Sequence, residues 1–352
     1  MYEKNSLKKL KIKKKFYKKI IVMFVGMVLA FCSVLLKVAQ TKTTNIYMKN
    51  KLISLASLLA VFNANAIEIG PTGSGVELSG FIDLYYQGKD AAGSDTAGVG
   101  QVEIDLDFAS GPISASVDYD LGGDFADANG LEEAIVTYDF GNGFSVTAGE
   151  MLSYLGFEAY DPINMYQYST AYESIGGIYD GYAVGASADY ATDMFSVGIW
   201  SSLTNSQDFE YALAFTGIEN LTVKAILADY GTDSTGPYQG KSTYWASYQM
   251  GKLLVAAEVA QAEAATAANA ELDGWLVMGN YALTDSAALT LRYSNSESST
   301  AGTTTFEEDK FTVSPSYVFN DNFSGLLEYS TFDASTGTES KDYFAAELIY
   351  TF

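Results

Sequence analysis

Three carboxylates stand at alternate positions in Glu103, Asp105 and Asp107, and two more do so at Asp118 and Asp120. Carboxylates spaced this way could work as an acid–base pair, hold a divalent cation, or line a conduit for positive ions. A glycosidase needs two carboxyl groups at a fixed separation across a cleft, and nothing in the chain singles out such a pair. The stretch 124–133, DFADANGLEE, has the acids of a calcium loop but not its D-x-D-x-D-G spacing, so no metal site is expected. Histidine is absent from the sequence, and the one cysteine is Cys32. Histidine-based triads, Cys–His catalysis and the usual zinc sites are thereby excluded. We expect no enzyme and no cofactor. The remaining use of alternating acids is a charged wall.

The N-terminal residues stand apart. Residues 48–66, MKNKLISLASLLAVFNANA, have two lysines, an apolar run and an Ala-x-Ala end, the layout of a cleaved export signal. Residues 1–47 carry a dense basic stretch and a second apolar run, 20–36, that approaches the length of a membrane span. Two export signals in tandem are redundant. We expect Met48 to be the true first residue, with an uncleaved N-terminal anchor as the alternative.

The mature chain is then 67–352. Of the 43 acidic residues only Glu3 precedes it, and of the 20 basic residues 13 do, leaving 42 acids against seven bases. Neutralising phosphates needs a basic footprint, so a nucleic-acid partner is excluded.

Acids at alternate positions need strands to hold them on one face. In 101–108, Gln101, Glu103, Asp105 and Asp107 share one face, while Val102, Ile104, Leu106 and Phe108 share the other. The same holds for Ser114, Ser116, Asp118 and Asp120 against Ile113, Ala115, Val117, Tyr119 and Leu121. About sixteen such segments of roughly ten residues recur from 76–87 to 342–352. Short connections such as GNG (141–143) and GK (251–252) alternate with longer ones such as GGDFADANG (122–130) and ESSTAGTTTFEE (297–308). Alternating loop lengths mean that the two ends of the sheet face different surroundings. The pattern predicts an all-β fold: a closed antiparallel transmembrane β-barrel, with paired edges and an apolar outer face toward lipid.

The last strand ends in ELIYTF, with Phe344, Leu348, Tyr350 and Phe352 on one face. This ending resembles the C-terminal signal of Gram-negative outer-membrane barrels, and a sixteen-stranded barrel ending there resembles the Gram-negative porins. The resemblance implies an outer-membrane location, a homotrimer, and a terminal signal read by the barrel-assembly machinery. In that family the third long loop folds into the lumen. Here the third long connection is 153–177, rich in tyrosine, and the resemblance makes Glu158, Asp161 and Glu173 candidates for a constriction. The PEFGG-type motif and the arginine cluster of general porins are missing; Arg292 is the only arginine. The segment FEAYDPINMYQYS (157–169) is closer to the OmpL-like porins.

Strand parity sends Glu77, Asp83, Glu103, Asp105, Asp107, Asp118, Asp120, Asp139, Glu258 and Glu328 to the lumen, with Lys224, Arg292 and Lys310 as its bases. A sixteen-stranded barrel is wide enough for a water-filled channel. This excess of acids predicts a cation-preferring pore for small hydrophilic solutes. A non-conducting barrel serving as anchor or adhesin stays open.

Overall fold

A computed structural model describes residues 66–352, apart from 72, 90–94, 126–129, 159, 206, 232–235, 265–269 and 336–340. The upstream extension, all but the last residue of the export signal, and Cys32 lie outside the described residues. A two-residue strand β1 (Ile67–Glu68) pairs with β2 (Val76–Lys89). The meander continues through β3 (Thr96–Ser110), β4 (Ile113–Gly122), β5 (Leu131–Asp139), β6 (Phe144–Leu152), β7 (Tyr182–Ala191), β8 (Phe195–Ser202) and β9 (Phe209–Ile218). It goes on through β10 (Leu221–Asp229), β11 (Gly240–Met250), β12 (Leu253–Glu263) and β13 (Ala270–Ala282). The last four are β14 (Ala287–Thr300), β15 (Thr303–Asn320), β16 (Phe323–Ala334) and β17 (Lys341–Thr351).

Each strand from β2 onward pairs antiparallel with its chain neighbours, and β17 pairs with β2, Leu348 opposite Leu84. The sheet is therefore closed: a sixteen-stranded barrel with one short extra strand, as the alternation of apolar and polar residues required. Closure leaves no row of unpaired backbone groups between first and last strand, which a hydrocarbon environment would penalise.

The seam is finished by the last residue. Phe352 N–H donates to Gly80 O at 3.1 Å, Gly80 N–H donates back to Phe352 O at 3.2 Å, and the Phe352 ring lies where a Gly80 side chain would stand. Deleting Phe352 removes both bonds and the ring, a loss of about 2 kcal/mol from the hydrogen bonds. We expect the refolded fraction, read as the heat-modifiable gel band, to fall sharply. An unchanged band would show that the seam closes without it.

The two faces separate as the residue types dictate. Leu84, Val136, Tyr190, Ile199, Leu213, Leu291 and Leu348 are exposed on the outside, while polar residues on alternate positions are covered. Aromatics mark both ends of the outer band. Near the short turns, Tyr138, Phe140 and Phe144 make ring contacts at 4.8 and 5.2 Å, and Tyr317, Phe319 and Phe323 do so at 5.1 Å. Toward the other end, Tyr86 meets Phe344 at 6.3 Å and Trp275 meets Tyr293 at 5.5 Å. Paired aromatic girdles flanking an apolar band are what a lipid bilayer selects.

One connection departs from the expected alternation. The stretch 297–308 is not a long loop. It is the end of β14, a two-residue turn at Ala301 (φ 49°) and Gly302 (φ 73°), and the start of β15. The β-branched Thr303, Thr304 and Thr305 favour strand, and two positive φ angles in succession give the hairpin turn that matches strand twist.

Candidate functional site

The segment 153–181, between β6 and β7, contains one 3₁₀ turn, Pro162–Asn164. It makes bonds to polar-face residues of strands far apart in the sheet. Tyr154 OH donates to Asp189 of β7 (3.0 Å), and Tyr154 N–H to Glu210 of β9 (2.8 Å). Gly156 N–H donates to Thr243 Oγ1 of β11 (3.2 Å), and Ser169 N–H to Glu328 of β16 (2.9 Å). Tyr168 lies between Tyr85 of β2 and Tyr343 of β17, with near-parallel rings at 6.1 and 6.3 Å. One segment thus bonds to polar-face residues of strands spread around the closed sheet.

Its anchors are charged. Arg292 is 1% exposed; its Nη1 bonds the Glu158 carboxylate, and its Nη2 lies 3.4 Å from both Ser169 Oγ and Thr312 Oγ1. Glu158 also accepts from Gln167 Nε2 at 2.9 Å and Ala171 N–H at 2.6 Å. Lys310, also 1% exposed, donates to Ser169 Oγ (2.6 Å), Thr170 O (3.1 Å) and Glu173 Oε1 (3.2 Å). Lys241 pairs with Asp180 at 2.5 Å. Glu258 accepts from the Tyr172 and Tyr179 hydroxyls. Burial of this many ionised groups is tolerable because each has a partner of opposite sign or several donors.

Apolar contacts complete the docking. Ala171, Tyr172 and Ile178 pack on Ala256, Ala260, Ala262, Leu272, Leu276 and Met278 from the inner faces of β12 and β13. Leu155 packs on Ala212, Ile226, Ala228 and Trp245 of β9 to β11.

The expected lining residues fare differently. Arg292, Lys310, Glu258 and Glu328 are on the inner face but are covered by the segment, so they are anchors and not open wall. Lys224 is also inward, its ammonium 5.1 Å above the Trp245 ring. Asp139 is exposed beside a short turn, where it accepts from Gly141 N–H at 2.7 Å and is clear of the mid-wall. Glu77 is exposed near the same end.

Another set lies on β3 and β4. Glu103 accepts from Gln101 Nε2 (2.8 Å), Asp105 from Ser79 Oγ (3.1 Å), and Ser116 Oγ lies within hydrogen-bond distance of Asp107 (3.0 Å) and Asp118 (3.1 Å), able to give its one proton to either. Asp120 Oδ1 accepts from Gly122 N–H at 2.8 Å.

Strand parity alone missed Glu132. In the β4–β5 register Asp118 faces Glu133 and Tyr119 faces Leu131, so Glu132 is the extra residue of a bulge. A bulge turns an additional side chain to one face. Gln101 Nε2 lies 3.3 and 3.4 Å from the Glu132 oxygens. Glu103, Glu132 and Asp161 bring one oxygen each within 4.8 Å of one another, a geometry able to hold a divalent cation. Asp161, on the connecting segment, has its carboxyl pushed up by burial and then by the nearby Glu132 and Asp105.

Comparisons with known proteins agree with this architecture. The profile of the family of phosphate-selective porins O and P matches residues 82–230. No curated protein sequence matches the chain. Outer-membrane-expressed OmpT of Vibrio cholerae superposes with a TM-score of 0.62 at 16% identity, over 81% of this chain and 100% of that one. An anion-selective porin from Comamonas acidovorans gives 0.60 at 13% identity, over 79% and 99%. OmpF of Salmonella typhi, in complex with daunomycin, gives 0.61 at 16% identity, over 81% and 100%. At these identities the likeness is one of fold.

Proposed function

We propose that this chain, a porin-like, multi-pass β-barrel of the outer membrane, is a passive channel for small hydrophilic solutes with a preference for cations. The segment 153–181 narrows the lumen, and the acids left on the wall set the field there. The observation that carries the reading is how the inward charges are paired. Lys241, Arg292 and Lys310 are each bound to an acid of the segment, Asp180, Glu158 and Glu173. On β3 and β4, Glu103, Asp105 and Asp118 take hydrogen bonds from Gln101, Ser79 and Ser116, which are neutral. Fixed negative charge in a water-filled lumen raises the local cation concentration and repels anions.

The family description and one structural relative refer to phosphate or anion selectivity. An anion path needs bases that are not already neutralised; these three are neutralised, which leaves Lys224, over the Trp245 ring, as an inward base without an acid partner among the described residues. Reversal potential in a planar bilayer under a KCl gradient decides the sign. We expect discrete open steps and a potential displaced toward that of K⁺. Displacement toward Cl⁻ would overturn the cation preference, and a folded barrel without steps would favour an anchor.

The same reading covers assembly. Phe344, Leu348 and Tyr350 line the outer face of β17 and, with Phe352, would be the signal for the barrel-assembly machinery. Vibrio cholerae OmpT is described in a trimer form, and a homotrimer of this chain would bury part of its apolar outer band. Chemical cross-linking in native membranes tests the trimer.

A further inference from the structure

A pocket of about 350 Å³ opens at the long-loop end of the barrel, between the segment 153–181 and the wall of β6 to β11. Its walls include Tyr182, Trp200 and Tyr230, and its charged groups are Asp180, Asp208, Glu210 and Lys241. That volume suits a small organic solute.

The hydrogen bonds inside it do not close. Glu210 accepts from Ser153 Oγ (2.9 Å), Tyr154 N–H (2.8 Å) and the Tyr230 hydroxyl (2.7 Å). The same Tyr230 hydroxyl lies 2.9 Å from Asp180. A phenol has one proton, so it can serve only one of the two carboxylates at a time. Lys241 is bound to Asp180. Asp208 accepts from Gly231 N–H (2.8 Å) and Asn205 Nδ2 (3.1 Å), both neutral. Among the described residues, three carboxylates thus share one ammonium, and the Glu210–Asp180 pair bridged by Tyr230 is a donor short.

The aromatic walls already accept a cation, since the Lys241 ammonium sits 5.9 Å from the centre of the Tyr230 ring. From this geometry we propose that the pocket binds small solutes carrying a primary ammonium group. The ammonium supplies the missing donor to Glu210 and a charged one to Asp208, and the carbon skeleton lies on Tyr182 and Trp200. The proposal rests on the channel reading, whose cation preference it narrows to a solute class. An anion is disfavoured here, because the pocket's lysine is already bound to Asp180.

Tryptophan emission of the refolded barrel in detergent tests it, with ethanolammonium chloride as probe against sodium chloride and sodium phosphate at matched ionic strength. The chain has three tryptophans, and Trp200 is the one lining the pocket. We expect a saturable change with ethanolammonium alone, lost in Trp200→Phe. Loss of one ammonium–carboxylate contact should raise the half-saturation concentration about tenfold in Glu210→Gln. Asp208→Asn should act in the same direction, and its carboxylate bonds only loop groups, so it serves if Glu210→Gln does not fold. No saturable change in a barrel that keeps its heat-modifiable migration would overturn the proposal, as would an equal response to phosphate or one that survives Trp200→Phe. Binding by a barrel that passes no current would sink the channel reading and leave the pocket. A cation-selective pore indifferent to ethanolammonium would do the reverse.

Discussion

Replacing Arg292 by methionine is expected to destabilise the barrel by about 3–5 kcal/mol and to raise its unit conductance. The guanidinium is fully covered, and so is its partner: the side chains of Arg292 and Glu158 are 0% and 2% exposed. Methionine fills similar volume but leaves the Glu158 carboxylate in a dry site without its counter-ion. Gln167 and the Ala171 N–H still donate to it, yet neither cancels its charge. The cheapest relief is for the segment to lift away and return Glu158 to water. Lifting removes whatever narrowing the segment imposes, so stability and conductance should move together. Urea unfolding from vesicles and single-channel step height read the two effects. The double variant Arg292→Met/Glu158→Gln should recover much of the lost stability, because no charge is then stranded. If the single variant leaves step height unchanged, the segment does not set the aperture.

The second large effect is on selectivity. Neutralising Glu103, Asp105 and Asp118 together (E103Q, D105N, D118N) should lower cation-over-anion permeability, by about eightfold at a pH where all three are ionised. One charge acting on an ion ~8 Å away in water contributes roughly 0.5 kcal/mol, which physiological salt cuts to about 0.2. Three such charges act with opposite sign on cation and anion, giving a difference of about 1.2 kcal/mol. These side chains are held by Gln101, Ser79 and Ser116, none of which loses a charge partner in the variant. The barrel should therefore fold normally. Reversal potentials of the two proteins under one KCl gradient provide the comparison. An unchanged potential would mean that the current runs past some other part of the wall.

The parts of the molecule that could be read from the chain are those governed by short-range chemistry. Strand β4 announces itself because Ser114, Ser116, Asp118 and Asp120 alternate with Ile113, Ala115, Val117 and Tyr119, and closure follows from having no polar surface to spare on the lipid side. What could not be read depends on distant partners. Arg292 and Glu158 are 134 positions apart, and Ser169 and Glu328 are 159 apart. Parity puts Arg292 and Glu328 on the inner face but says nothing of what covers them there. Ala256, Ala260 and Ala262 are inward and apolar, a wall surface that makes sense only once Ala171, Tyr172 and Ile178 lie on it. Glu132 sits outside the parity of its strand because a bulge breaks the period of two. The extended hairpin of β14 and β15 was hidden for the opposite reason. Its Ser, Thr, Gly and Glu residues look like loop, while the ladder between Ser296 and Glu308 makes them strand.

Among the described residues, three ion pairs tie the segment 153–181 to β11, β14 and β15 of its own barrel. A narrowing held by these pairs would be built within one barrel. If several copies gather side by side, each should switch on its own. A recording from such a cluster would then show equal current levels visited with binomial frequencies, with the state of one lumen carrying no memory of the others.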